Sequence, residues 1–156
     1  MEKDEQMFEL GTDGPLVIVA GVDGSEASMR AAAYAAGLAR RQRAKLALVY
    51  IQPLSTSLSP MAGAAISELH QDIADDLTRQ ILAATERMGT SGPGQMPQVE
   101  FFTETGDPYH GLVDAAVRLK ADAVVIGASQ QAGHRIIGSV AVRLVKAGRW
   151  PVTVVP

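Results

Sequence analysis

The sequence predicts an α/β protein built on one open, parallel, doubly wound sheet with helices on both faces. Three observations carry that expectation. Short apolar runs, most of them rich in Val or Ile, recur five times along the chain. Continuous runs of this kind suit strands covered on both sides, where polar–apolar alternation is not needed. Helix-length segments separate them in the order β-α-β-α-β-α-β-α-β, and right-handed crossovers wind that order into a parallel sheet. The length of 156 residues, with 47% apolar and 20% charged content, suits a single globular domain.

The first strand is expected over residues 16–22 (LVIVAGV), ending in the turn Gly21-Val22-Asp23-Gly24-Ser25. Ser25 is suited to cap the Ala-rich helix 26–43, which closes on Arg40, Arg41 and Arg43, cations that favour a helix C-terminus. The second strand is 45–51 (KLALVYI). The Ser-, Pro- and Met-containing connector 52–63 reads as a disordered stretch or a mobile lid. A helix over 66–88 follows, with Ile66, Leu69, Ile73, Leu77, Ile81, Leu82 and Met88 as its apolar stripe. After the turn-rich segment 89–97 comes the third strand, 98–103 (QVEFFT). Asp107 as N-cap and Pro108 at the first helical position open a helix over 108–119. The fourth strand, 122–127 (DAVVIG), leads through a loop to the helix 139–147, stopped by Gly148. The last strand is 151–155 (PVTVV), and Trp150 before it is expected to pack at the sheet edge or at a seam between copies.

The charge pattern narrows the function. Net charge is −3, yet residues 1–14 alone carry −4. They are expected to form a disordered acidic tail outside a domain that spans 15–156. Residues 63–114 carry −7 and residues 118–156 carry +5, so the last third is the part suited to an anion. The balance argues against nucleic acid as a partner. No apolar run reaches the roughly 18 residues a membrane helix needs. The acidic start lacks the apolar stretch of a secretory signal, so a cytoplasmic location is expected. The absence of cysteine excludes disulfides, thiolate metal sites and a cysteine nucleophile. His70, His110 and His134 fall in different elements, without HxxxH or HExxH spacing, and no GxSxG elbow occurs. Asp72, Asp75 and Asp76 read as a solvated helix face rather than a metal cluster. No catalytic residue and no protein metal site are expected, and binding is favoured over chemistry.

In an open α/β sheet, ligands lie at the carboxyl ends of the strands, near the point where strand order reverses. Asp23, just past the first strand, can accept hydrogen bonds from an amino group or a ribose hydroxyl, or can serve only the turn. The turn has neither a GxGxxG nor a Walker A pattern. Past the fourth strand, Gly127 and the pair Gly138-Ser139 flank a loop that opens a helix. Backbone N–H groups at a helix start, approached closely through glycines, form an anion site. The Ser139 hydroxyl adds a donor, and Ser129, His134 and Arg135 lie within the same segment. The plainer alternative is a tight turn at Gly127 and a capping Ser139.

The chain resembles the universal stress protein family over essentially all of residues 15–156. The matching pieces are the stretch 19–28 (VAGVDGSEAS), the second strand, Thr105-Gly106-Asp107-Pro108, the stretch 121–127 (ADAVVIG), Gly138-Ser139-Val140 and the stretch 150–155 (WPVTVV). The resemblance implies a Rossmann-like sheet of order 3-2-1-4-5, of the adenine nucleotide alpha hydrolase-like kind. It implies a homodimer formed through the last strand at 151–155, signalling through contacts with an unidentified protein partner. It also implies an adenine nucleotide, ATP, with magnesium accompanying ATP. Asp23 would lie near adenine, Gly21 and Val49 beside the ring, Ile126, Gly127 and Ser129 near ribose, and Gly138, Ser139 and Val140 at the phosphates, with Val22 in the same binding set. Arg135 would add charge there. ATP-binding members carry Gly-x2-Gly-x9-Gly-Ser/Thr after the fourth strand. Here Gln130 replaces the second glycine, and ten residues separate Gly127 from Gly138 where the motif has twelve. A side chain at 130 stands where the motif keeps bare backbone. Two readings therefore lead, a nucleotide-binding regulatory dimer and a nucleotide-free interaction dimer of the same fold, with a slow ATPase or small-molecule enzyme as a lesser third.

Overall fold

The computed structural model describes residues 14–52, 60–89, 97–131 and 134–156. Most of the acidic stretch 1–14 and the central part of the connector 52–63, residues 53–59, lie outside the described residues.

Five strands form one parallel sheet: β1 (Val17–Val22), β2 (Lys45–Gln52), β3 (Val99–Thr105), β4 (Ala123–Gly127) and a last strand at Val152–Val155. Two three-residue strands, β5 (Ser129–Gln131) and β6 (His134–Ile136), pair antiparallel as a separate hairpin, so the last strand is β7. The sheet order is β3-β2-β1-β4-β7, which is the 3-2-1-4-5 order expected. β1 is flanked by β2 and β4, with Val17 opposite Lys45 and Ile18 opposite Ala123. The order reverses there, and a crevice opens between the carboxyl ends of β1 and β4. At the opposite end the Asp122 carboxylate accepts from the Leu16 and Val17 amides at 2.8 and 2.9 Å. That contact joins the start of β1 to the start of β4.

Alternation along the strands divides the core into two. Ile18, Ala20, Val22, Leu46, Leu48 and Tyr50 meet α1 (Glu26–Gln42) and Ala74 of α2 (Pro60–Gly89). Val19, Ala47, Val49, Val124 and Ile126 meet α3 (Pro108–Arg118) and α4 (Ser139–Ala147). Both faces of β1, β2 and β4 are dry, which explains the continuous apolar runs. The buried face of α1 is Ala27, Ala31, Ala32, Ala35, Ala36 and Ala39, with Ser28. Small side chains let that helix lie close on the sheet.

Helix starts and stops follow their sequence signals. Ser25 accepts from the Ser28 amide at 3.2 Å to cap α1, and Asp107 accepts from the His110 amide at 3.0 Å to cap α3. Gly148 ends α4 in the left-handed conformation. Three expectations need correction. Residues 60–63 belong to α2 rather than to a lid, because Pro60 occupies a first helical position, where its missing N–H costs nothing. Leu69 and Leu82, assigned to the buried stripe of α2, are 57% and 55% exposed. At 100° per residue they lie roughly 140° and 80° around the helix from the buried Ala74, both outside a stripe about 100° wide centred on it. Leu16 is 72% exposed and precedes the first strand.

Candidate functional site

The turn after β1 is held by a set of short-range hydrogen bonds. The Ser25 amide donates to Asp23 Oδ1 at 2.9 Å. The Ser28 hydroxyl accepts from the Asp23 amide at 3.2 Å and donates to the Ser25 carbonyl at 2.9 Å. Gly24, at φ +86°, supplies the left-handed step between them. Burial alone would raise the Asp23 pKa, but the hydrogen bonds from Ser25 and Ser28 outweigh it and hold the carboxyl below its ordinary 3.8. Asp23 is thus an anion at neutral pH, fixed at the carboxyl edge of the sheet and exposed to solvent. Burial and, secondarily, the Asp23 charge push the neighbouring Tyr50 hydroxyl up, so Tyr50 stays a neutral phenol.

A cleft of about 630 Å³ opens at this edge, a size suited to a small-molecule ligand. Its floor is apolar, formed by Gly21, Val49, Leu112 and Ile126. Asp23, Ser25, Glu26 and Ser28 stand on one side, with Ser129, Gly138, Ser139 and Val140 on the other. Gly138 is the N-cap of α4 and makes no side-chain cap. The first N–H groups of α4 have no intrahelical acceptor and carry the positive end of the helix dipole.

Ten of the eleven residues singled out from the sequence line this one cleft: Gly21, Val22, Asp23, Val49, Ile126, Gly127, Ser129, Gly138, Ser139 and Val140. The backbone of the eleventh, Arg135, lies in β6, opposite Gln130; its side chain, like that of His134, is outside the described residues. The sequence reading passed over Ser28, Tyr50, Pro108 and Leu112 as cleft residues. Pro108 and Leu112 are four apart on one face of α3, a spacing that points both the same way. Ser28 is three residues past the cap, where a buried hydroxyl is the unusual choice, and is 4% exposed.

Gly127 has a structural duty beside its place in the cleft. A Cβ there would fall 2.5 Å from the Ala27 carbonyl carbon and 2.6 Å from the Ser28 nitrogen. The end of β4 therefore touches the backbone of α1, and only glycine fits. Gly138 faces Ser129 in the same manner, more loosely, at 3.0 Å from a built Cβ to the Ser129 Cβ. Between these two points the chain folds back as the β5–β6 hairpin, with Ser129 opposite Ile136 and Gln131 opposite His134. The loop that is two residues short is thus an antiparallel hairpin, which the sequence reading did not foresee.

At the cleft's rim, His110 Nδ1 donates to Asp107 Oδ2 at 2.8 Å, and Arg143 of α4 lies 3.7 Å from the same oxygen. The Arg143 guanidinium also sits 3.9 Å from the centre of the Tyr109 ring. The hydrogen bond from the His110 amide leads the causes that hold the Asp107 carboxyl below 3.8, with the His110 side chain and Arg143 adding to it. Among the described residues no group of three or more His, Asp or Glu is placed to hold a metal ion, and no helix is long and apolar enough to cross a membrane.

The sequence model described as the universal stress protein family matches residues 16–156. A universal stress protein of Methanocaldococcus jannaschii is 29% identical over 143 residues, covering 88% of this chain and 80% of that protein. Among solved structures, the universal stress protein UspA from Lactobacillus plantarum is 25% identical with a TM-score of 0.75, covering 90% of this chain and 97% of that one. A universal stress protein solved in complex with cAMP is 24% identical with a TM-score of 0.63, covering 92% and 98% of the two chains.

Proposed function

The chain belongs to the universal stress protein family, and from that premise we propose that it is a regulatory binding protein whose cleft takes an adenine nucleotide. The supporting observation is the convergence of residues from β1, β2, β4 and α4 on one cleft at the point of strand reversal. In this reading the Asp23 carboxylate accepts a hydrogen bond from the adenine amino group, and Val49 and Ile126 pack against the ring. Ser129 meets the ribose. Gly138, Ser139 and Val140 present N–H groups and a hydroxyl to phosphate. That a fold relative has been solved with cAMP supports the ligand class. No proton-transfer step or nucleophile is assigned; the protein binds rather than transforms. It acts in the cytoplasm as a homodimer through the outer edge of β7 and signals by contacts with a protein partner that differ between the loaded and empty states.

Gln130 and the short loop favour a second reading, the nucleotide-free interaction dimer of the same fold. Calorimetry of the purified chain with ATP, ADP, AMP and cyclic AMP at fixed salt separates the two. Binding is expected, and Asp23→Ala and Ser139→Ala each weaken it by about 1–3 kcal/mol, as partners left buried lose their hydrogen bonds. No heat at millimolar ligand would select the nucleotide-free reading, and unchanged affinity in both variants would show that the ligand sits elsewhere.

A further inference from the structure

Resting on the reading of the cleft as an adenine-nucleotide site, we infer that Ser28 is a positioning residue for that site: its hydroxyl fixes the turn that presents the Asp23 carboxylate to the cleft. Ser28 stands out from its surroundings. The buried face of α1 is otherwise six alanines. Among the described residues Ser28 is the one, Tyr50 apart, that is both polar and buried, at 4% exposure. A seventh alanine would suit the helix better and would bury no group that needs a partner. Nor is the hydroxyl needed as a cap, since Ser25 Oγ already accepts from the Ser28 amide.

What the hydroxyl holds is Asp23. Val22 is the last residue of β1 with a sheet partner, Tyr50. One residue on, the Asp23 amide leaves the sheet and donates to Ser28 Oγ at 3.2 Å. The same hydroxyl donates to the Ser25 carbonyl at 2.9 Å, and the Ser25 amide donates to Asp23 Oδ1 at 2.9 Å. The three residues thus close a ring of hydrogen bonds with the carboxylate on its rim. The Ser25 carbonyl has a second partner, the Met29 amide at 3.0 Å, whereas the Asp23 amide depends on Ser28 alone among the described residues. Loss of the hydroxyl therefore falls on Asp23. The anchor itself is fixed, because the end of β4 presses on its backbone: a Cβ on Gly127 would fall 2.6 Å from the Ser28 nitrogen.

A double-mutant cycle tests this. Calorimetry with cyclic AMP and with ATP is run on the parent chain, Ser28→Ala, Asp23→Ala and the double variant. Ser28→Ala is expected to weaken binding about five-fold or more in the parent background, and by less than about two-fold once Asp23 is gone. Equal losses in the two backgrounds, or no loss in either, would overturn the inference and leave Ser28 a packing residue. A second readout needs no ligand. Burial alone would raise the Asp23 pKa, and the hydrogen bonds from Ser25 and Ser28 bring it below 3.8. Carbon-detected NMR titration of the side-chain carboxyl should therefore show a higher midpoint in Ser28→Ala than in the parent. Silence from both nucleotides with that shift present would strike the reading of the cleft and leave Ser28 holding Asp23; an unmoved midpoint would remove the positioning whatever binds. Ser28→Cys, close in volume and a weaker hydrogen-bonding group, should move the midpoint the same way by less, and carries the test if Ser28→Ala does not fold.

Discussion

Gly127 shows how one residue can carry two readings. In the sequence it is the first glycine of a phosphate-loop pattern; in the structure it is the point where β4 touches the backbone of α1. The steric reading makes a definite prediction. Gly127→Ala must part the helix from the sheet, at a cost of about 3 kcal/mol, or a fall of roughly 6–12 °C in Tm for a domain of this size. Thermal unfolding without ligand checks it, and an unchanged Tm would return the glycine to the loop alone. The residue scale is also where the sequence was least legible. Asp23, Gly138 and Ser139 could be placed at the cleft because each stands next to the end of a predicted element. The duty of Gly127 depends on which backbone lies opposite it, and that is a property of packing between segments a hundred residues apart; that of Ser28 is local, but a serine in an Ala-rich helix carries no signal that its hydroxyl turns back on the preceding turn.

At the scale of elements, periodic and capped segments were readable and short polar ones were not. α4 was bounded to the residue by Gly138-Ser139 and Gly148, and α3 began where Asp107-Pro108 said it would. The β5–β6 hairpin is built from Ser, Gln, His and Arg with a single Ile, a composition with no alternation to detect. The α3 cap allows a test by pH. Asp107 titrates below its ordinary 3.8 in the folded protein, so its ionised form stabilises the fold above that value. This contribution is lost as pH falls through the lowered folded pKa. The stability difference between the parent chain and Asp107→Ala, followed by urea unfolding from about pH 5 down to pH 2, should therefore narrow toward the acid end. A constant difference would mean that the charged state of the carboxylate contributes nothing.

The whole molecule is the scale at which the sequence spoke most clearly. Five strands in alternation with helices leave few arrangements, and the order β3-β2-β1-β4-β7 follows the family pattern. It leaves β7 paired with β4 through Val152–Val155 on one side and without a sheet neighbour among the described residues on the other. Edges of this kind join to other edges unless charge prevents it. If β7 makes the proposed homodimer, Thr153→Lys should shift the chain toward monomer in sedimentation equilibrium with little change in far-UV circular dichroism. A parent chain that sediments as a monomer would remove the dimer from the functional proposal.

The contact between Asp122 and the amides of Leu16 and Val17 has a practical side. Because every strand of the sheet runs the same way, this anchor fixes the incoming chain at the end of the sheet far from the cleft. The outgoing chain is held at the near end, where the Ala128 amide donates to the Val155 carbonyl and Arg30 reaches the Pro156 carbonyl. An affinity handle or sensor surface attached ahead of Gly14 thus holds the domain with its mouth turned outward. The same handle placed after Pro156 stands beside the opening and competes for the space a ligand must cross.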